Sequence, residues 1–279
     1  MRIIHLGILV VACALSVSLL LSGTAYAITN GQPDGNNHPY VGLVVFDIDH
    51  DGDPSTPPVP AWRCTGILLS PTVVLTAGHG TDGAVAARVW FDEVVQGNPE
   101  YPYSGATSYD GIPYTNPDFC IGCGNGVPGF DYRDVGIVVL TEPVPTSVVS
   151  EYGQLPTAGQ VDTLAVMTDM DLVGYGVQTM HRGGGQPYWT GLRNRYYAPS
   201  KLLSGNFAWS NEFIRCTANL GQGKGGTAFG DSGGPVLLHG TRTILAVNSY
   251  VTNYNCAGVT YHSRIDIPEV LDWINGFLE

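Results

Sequence analysis

Short runs rich in β-branched and aromatic residues, each closed by turn formers, recur along this chain, and no helical period interrupts them before the C-terminus. Residues 41–46, 65–69, 72–76, 84–91, 135–140, 162–167, 235–238 and 243–251 read as strands. Parallel sheets need crossover helices between strands, so their absence favours an antiparallel sandwich or a pair of barrels. The fold class is therefore all-β. Pro268 opens a single helical pattern, in which Val270, Leu271, Trp273, Ile274, Phe277 and Leu278 form an apolar stripe behind Asp266 as cap. That helix is expected to dock on a barrel. Residues 142–159, with three prolines and two glycines, mark the best internal boundary.

Residues 1–27 carry an early positive charge at Arg2, an apolar run over 3–21 and the small-x-small end Ala25-Tyr26-Ala27. This is the pattern of a secretory signal peptide, which predicts a secreted, extracellular protein with no membrane attachment after removal. The remaining 252 residues suffice for one large domain or two small ones. Acidic residues number 24 against 12 lysines and arginines, a net charge of −12. A nucleic-acid partner held by phosphate neutralisation is excluded on that balance, and partners are expected to be neutral or cationic. Cys64, Cys120, Cys123, Cys216 and Cys256 remain after signal removal, one too many for complete pairing, and their spacing leaves the connectivity open.

Gly230-Asp231-Ser232-Gly233-Gly234-Pro235 precedes an apolar strand, with glycines on both sides of one serine. Such glycines permit unusual dihedrals and close approach of a substrate carbonyl, so the amides of Gly230 and Ser232 are candidates for an oxyanion hole. A serine hydroxyl needs a base and an orienting acid to become a nucleophile. The base candidate is His79, which ends the segment Leu75-Thr76-Ala77-Gly78-His79. The acid candidate is Asp134, immediately before the strand over 135–140.

In these three segments, and in their His, Asp, Ser order, the chain resembles the chymotrypsin-like (trypsin-like) secreted serine endopeptidases. The likeness runs from Ile28-Thr29-Asn30-Gly31 to the final helix. It implies two six-stranded antiparallel β-barrels, one over residues 28–145 and one over 146–279, with the catalytic groups at their junction. Gly174-Tyr175-Gly176 looks like the family's Gly-Trp-Gly early in the second barrel. The implied activity is hydrolysis of peptide bonds in polypeptide substrates, by a monomer that requires no cofactor. Family members pair a new N-terminal ammonium with the aspartate before the serine; here the pair is Ile28 and Asp231. Signal cleavage after Ala27 would expose that end directly.

The resemblance also marks departures. Gly80 stands where many relatives have a cysteine after the histidine, which leaves Cys64 without its usual partner, and Ala228 replaces a cysteine before the serine. Cys216 and Cys256 bracket Ser232 and are the expected bridge. Gly226 occupies the position where an acidic residue selects basic side chains in trypsin-like relatives, so cleavage after Lys or Arg is not expected. Ser249-Tyr250-Val251 looks like the substrate-binding strand, with Val251 narrowing the pocket toward apolar or small residues.

Other motifs weigh less. Cys120-Ile121-Gly122-Cys123 has metal or redox spacing but no second pair, so a local disulfide or separate pairings are expected. Gly221 to Gly226 with Lys224 has the wrong order for a phosphate loop. Asp47, Asp49, Asp51 and Asp53 reproduce half of a calcium loop but lack the closing Glu; a solvated acidic hairpin competes with a structural Ca²⁺ site. His38, His50, His181, His239 and His262 lack the context of His79 and read as structural or exposed. An α/β-hydrolase esterase would place its acid and histidine after the serine, where only 47 residues remain. A catalytically silent binding protein on the same barrels is the other rival, although such proteins normally lose a triad member and here all three are present.

Overall fold

The computed structural model describes residues 28–123, 131–181, 186, 188–204 and 211–279. The signal-peptide reading falls on residues 1–27, outside the described residues. A two-residue strand, β1 (Gln32–Pro33), leads into the first barrel. Its strands are β2 (Val41–Ile48), β3 (Val59–Ser70), β4 (Val73–Thr76), β5 (Ala86–Trp90), β6 (Ser108–Thr115) and β7 (Gly136–Leu140). They close in the order β2-β3-β4-β7-β6-β5. A single turn of helix, α1 (Gly78–Thr81), follows β4.

The second barrel begins with β8 (Asp169–Gly174), and a side hairpin of β9 (Thr179–His181) and β10 (Tyr188–Thr190) follows. The chain continues through β11 (Tyr196–Ser204), β12 (Phe213–Ala218), β13 (Pro235–Leu238), β14 (Ile244–Val251) and β15 (Gly258–Arg264). These order as β11-β12-β15-β14-β13-β8, and β8 pairs back to β11 to close the ring. All strand pairings are antiparallel among the described residues, so the expected pair of six-stranded barrels is the observed fold.

The two chain ends cross over. Ile28 is fully buried with Met170, Leu172, Ile214 and Val236 in the core of the second barrel, and β1 pairs with β11. Helix α2 (Pro268–Asn275) instead joins the core of the first barrel through Val270 and Ile274, with Phe277 against Tyr114 of β6. Each barrel is thus closed by a segment from the other end of the sequence.

Two local expectations are corrected. Residues 162–167 form no strand: a 3-10 turn covers Gln160–Thr163, and Ala165, Val166 and Met167 lie exposed before β8 starts at Asp169. Apolar content there suggested a strand, but the regular ladder starts only at β8; before it, Met167 and Thr168 exchange backbone hydrogen bonds with Leu202 of β11 at 2.6 and 2.9 Å. Asp266 does not cap α2, whose N-cap is Ile267. Its carboxylate is buried and committed elsewhere, to the Arg264 guanidinium at 2.8 and 2.9 Å and to the amide of Val161 at 2.8 Å.

Candidate active site

The serine loop is held against the first barrel by Thr65 of β3. The Thr65 amide donates to the Ser232 carbonyl at 2.8 Å, and its hydroxyl donates to the Gly230 carbonyl at 3.0 Å. The same hydroxyl accepts from the Tyr175 amide at 3.1 Å, so one buried side chain ties three segments together. Gly233 has φ +79°, and a Cβ there would stand 2.3 Å from Thr76 Oγ1 and 2.5 Å from the Ala77 nitrogen. Only glycine permits that approach.

Helix α1 presents His79. A Cβ on its neighbour Gly78 would lie 3.0 Å from the Val135 backbone, so the turn sits directly on the start of the strand that follows Asp134. Asp134 is fully buried and grips the histidine twice: Oδ1 accepts the His79 amide at 2.8 Å, and Oδ2 meets Nδ1 at 2.8 Å. Ser249 of β14 donates its hydroxyl to the same Oδ2 at 2.5 Å. Burial opposes charge on both partners. On Asp134 it is outweighed by the His79 charge and by hydrogen bonds from His79 and Ser249, which hold the carboxyl below its ordinary range. Burial likewise works against the imidazolium, yet the Asp134 charge and hydrogen bond, with a smaller contribution from Cys64, raise His79 well above 6.5.

His79 and Ser232 line one cleft of about 390 Å³ together with Asp131, Thr227, Ala228, Phe229, Asn248 and the segment Ser249, Tyr250 and Val251. Among the described residues, the Gly230 and Ser232 amides donate to no protein acceptor. Gly230 has φ +94°, a backbone conformation that glycine adopts without a Cβ clash. Of the sequence-read set, His79, Ser232 and the strand at 249–251 line one cleft, and Asp134 is joined to it through His79; Gly230 lies beside it in the loop before Ser232.

Gly226 is not among the residues lining the cleft. It is buried behind the wall, where its amide and carbonyl exchange hydrogen bonds with Thr29 at 3.1 and 2.8 Å. A Cβ at Gly226 would fall 2.2 Å from that of Ala218. Thr29 also reaches the Cys256 carbonyl at 3.3 Å, so the first residues after position 27 are built into the back of the pocket. Asp231 is fully buried, accepting from the Gly176 and Ala228 amides at 2.8 Å each. Burial raises its pKa to about 7, against the lowering effect of those amides and of Arg63.

The cysteines require one correction. Cys216 and Cys256 are buried free thiols, and the expected bridge between them is not formed. Cys216 is enclosed in the core of the second barrel near Ser200, whereas Cys256 lies in the turn before β15 beside the Phe229 backbone. Burial pushes both thiols up to about 12. Cys64 is likewise free and buried, its sulfur 2.9 Å from where a Gly80 Cβ would stand. Cys120 and Cys123 form the local disulfide.

The calcium half-loop does not converge either. Asp47, near the end of β2, is buried and paired with Arg88 through both carboxylate oxygens. Asp49, Asp51 and Asp53 are exposed and accept amides of their own loop, as turn residues do. Among the described residues, the group close enough to share a cation is instead His79, Asp131 and Asp134, whose donor atoms lie within 4.8 Å of one another. Asp134 and His79 Nδ1 already satisfy each other there.

Sequence reasoning missed Thr65, Asn248 and Asp131. Asn248 lines the cleft with its amide fixed from behind: Nδ2 donates to the Asp231 carbonyl at 3.1 Å, and Oδ1 faces His262 Nδ1 at 2.9 Å. Burial drives His262 down to about 3, which keeps this imidazole neutral. No sequence pattern announces such a relay, because its members are brought together only by strand pairing of β14 and β15.

The trypsin family model matches residues 32–274. No curated protein matches the chain. Among solved structures, a collagenase titled HL collagenase is 19% identical with a TM-score of 0.64, over 91% of this chain and 97% of that one. Human heparin binding protein is 16% identical with a TM-score of 0.59, over 89% and 95%, and a mutant of it is 17% identical with a TM-score of 0.60, over 92% and 96%. At these identities the structures speak for the fold. Among the described residues no helix is long and apolar enough to cross a membrane. With the family model spanning both barrels, the chain belongs to the trypsin family.

Proposed function

We propose that this chain is a secreted serine endopeptidase acting through His79, Asp134 and Ser232. The observation that carries the reading is the buried Asp134 carboxylate gripping both the amide and Nδ1 of His79 in a cleft shared with Ser232. His79 takes the Ser232 proton as Oγ attacks a peptide carbonyl. The Gly230 and Ser232 amides receive the developing oxyanion, and the imidazolium then protonates the leaving amine. Water hydrolyses the acyl-enzyme by the same steps in reverse roles. Asp134 holds the tautomer and stabilises the imidazolium without itself accepting the proton.

Ser249, Tyr250 and Val251 supply the wall along which the acyl part of the substrate lies. Apart from His79 and Asp131 the cleft lining carries no charge, and the stretch around Thr227, Asn248 and Val251 favours small or apolar residues in the pocket. The Ile28 ammonium released by signal cleavage pairs with Asp231 and orders the loop that carries the oxyanion amides. The burial of Ile28 and the unneutralised, raised carboxyl of Asp231 support that pairing.

The test is covalent labelling of the mature chain by a fluorophosphonate, alongside hydrolysis of a peptide library. Ser232→Ala is expected to abolish labelling, and Ser232→Ala or His79→Ala to lower kcat by at least about 10³-fold. Peptide hydrolysis unchanged in the serine variant would overturn the assignment. A binding role like the one in the name of human heparin binding protein fits less well, because a polyanion such as heparin would be repelled by a chain of net charge −12.

A further inference from the structure

The Ser232 amide and the Asp231 carbonyl belong to one peptide group. In a trans peptide the N–H and the C=O point to opposite sides of one plane, so whatever grips the carbonyl also aims the N–H. Two donors grip it: the Gly234 amide at 2.9 Å, from the same turn, and Asn248 Nδ2 at 3.1 Å, from β14. The backbone of β14 is zipped to the loop around that contact. The Gly233 amide donates to the Asn248 carbonyl and the Asn248 amide to the Gly234 carbonyl, each at 2.8 Å. A Cβ at Gly234 would stand 2.4 Å from the Val173 carbonyl oxygen and 3.0 Å from Asn248 Nδ2, so the approach requires glycine.

Chemistry fixes which way the Asn248 carboxamide faces. A backbone carbonyl only accepts, so Nδ2 faces Asp231, and Oδ1 is left toward His262, the partner of Asn248 across the ladder of β14 and β15. Oδ1 needs a donor, and His262 Nδ1 meets it at 2.9 Å. Nε2 is then the acceptor, 3.0 Å from the Thr260 hydroxyl. A neutral imidazole has one donor and one acceptor, and both are used here. His262 is fully buried, and burial pushes its pKa down to about 3, so the neutral ring persists at any pH where a peptidase of this kind turns over. Hydrogen bonds in series polarise one another, so a carbonyl that accepts makes the N–H of its own peptide a stronger donor.

We infer that His262 and Asn248 are positioning residues for the oxyanion hole: the imidazole orients the carboxamide, the carboxamide holds the Asp231 carbonyl, and the peptide so fixed aims the Ser232 amide at the developing oxyanion. The inference rests on the peptidase reading above and adds two residues that act through this peptide.

The test compares two replacements of His262 on the best-cleaved peptide of a library. His262→Phe keeps the ring volume but removes the donor, and is expected to lower kcat by about 10-fold or more with KM changed less than about 2-fold. His262→Asn restores a donor where Nδ1 stands but leaves a void, and is expected to keep kcat within about 3-fold of the parent while losing stability in urea. A merely structural role predicts the reverse order. Asn248→Leu, which removes the carboxamide itself, is expected to repeat the loss in kcat and serves if His262→Phe does not fold. A peptidyl trifluoromethyl ketone reads the hole directly, because its adduct with Ser232 carries an oxyanion whose pKa is followed by ¹⁹F NMR. That pKa is expected to rise by about 1 in His262→Phe and to stay near the parent value in His262→Asn, matching a 10-fold loss of oxyanion stabilisation. An adduct pKa and a kcat that do not move in His262→Phe or Asn248→Leu overturn the relay and leave the peptidase reading standing. A parent chain that forms no adduct and takes no fluorophosphonate label overturns the peptidase reading, and the relay with it.

Discussion

Asp134 shows how much one carboxylate can do once it is removed from water. It accepts from the His79 backbone, from His79 Nδ1 and from the Ser249 hydroxyl, and these bonds outweigh the cost of burying its charge. The other face of that balance is a His79 held well above its ordinary pKa. The base must be neutral to accept the serine proton, so kcat/KM is expected to rise with pH as His79 deprotonates. Asp134→Asn removes the attraction for the imidazolium and so lowers the His79 pKa. The acidic limb of the pH profile should move to lower pH, while the plateau of kcat falls by about 10⁴-fold. A limb that stays where it was would show that Asp134 does not set the basicity of His79. The conjunction of Asp134 with His79 and Ser232 was readable from the sequence. The second task of Ser249, as a donor to Asp134, was not, because only the meeting of β14 with the first barrel reveals it.

At the scale of elements, the segment at 28–31 is built into the second barrel. Thr29 pairs with Gly226 on one side, while Ile28 fills the core of the second barrel. Ala228, two residues beyond Gly226, donates to the buried Asp231. Asp231 is raised from 3.8 to about 7, which fixes the sign of its effect on stability. Below about pH 4 both folded and unfolded chains hold the proton and nothing is lost. Between pH 4 and 7 the unfolded state ionises first, so stability falls as pH rises and the loss is complete above 7. The full effect is on the order of 4 kcal/mol. A chain whose Ile28 nitrogen is tied up in a peptide bond should show this loss in urea titrations, and one that begins with the free Ile28 ammonium should be spared most of it. Parallel stability curves for the two forms would eliminate the Ile28 and Asp231 pair.

For the molecule as a whole, the two barrels are joined by polar groups that neither could satisfy alone. Arg195 is fully buried just before β11 of the second barrel, yet donates to the Val41 and Phe91 carbonyls of the first at 2.8 and 3.2 Å. Its Nε meets Asp34 at 2.9 Å, and a third branch reaches Asn36 at 2.5 Å. Tyr175 bridges the same junction through the Asp92 carbonyl at 2.7 Å. Arg195→Met leaves Asp34 as a buried charge without its guanidinium and is expected to cost about 3–5 kcal/mol in urea unfolding. Adding Asp34→Asn should recover part of that loss, the coupling expected of a direct pair. A loss under 1 kcal/mol for the single variant would show that the Arg195 network contributes little to holding the barrels together.

The amino-acid sequence by itself determined the all-β class, the helix at the C-terminus, and the three segments around His79, Asp134 and Ser232. Those features are local: strand runs between turn formers, and glycines around a serine, carry their meaning within a few residues. The strands at 108–115, 196–204, 213–218 and 258–264 escaped because residues such as Pro199, Arg215 and Lys201 dilute the apolar pattern, and ladder partners stabilise them instead. Tertiary structure alone decided that Cys216 and Cys256 stay apart, that Asp47 belongs to Arg88 and that Gly226 backs the pocket rather than lining it. It also decided that Asp131 faces the cleft. Each of these depends on which side chains are neighbours across strands distant in sequence, and that is set by barrel closure, not by any local pattern of residues.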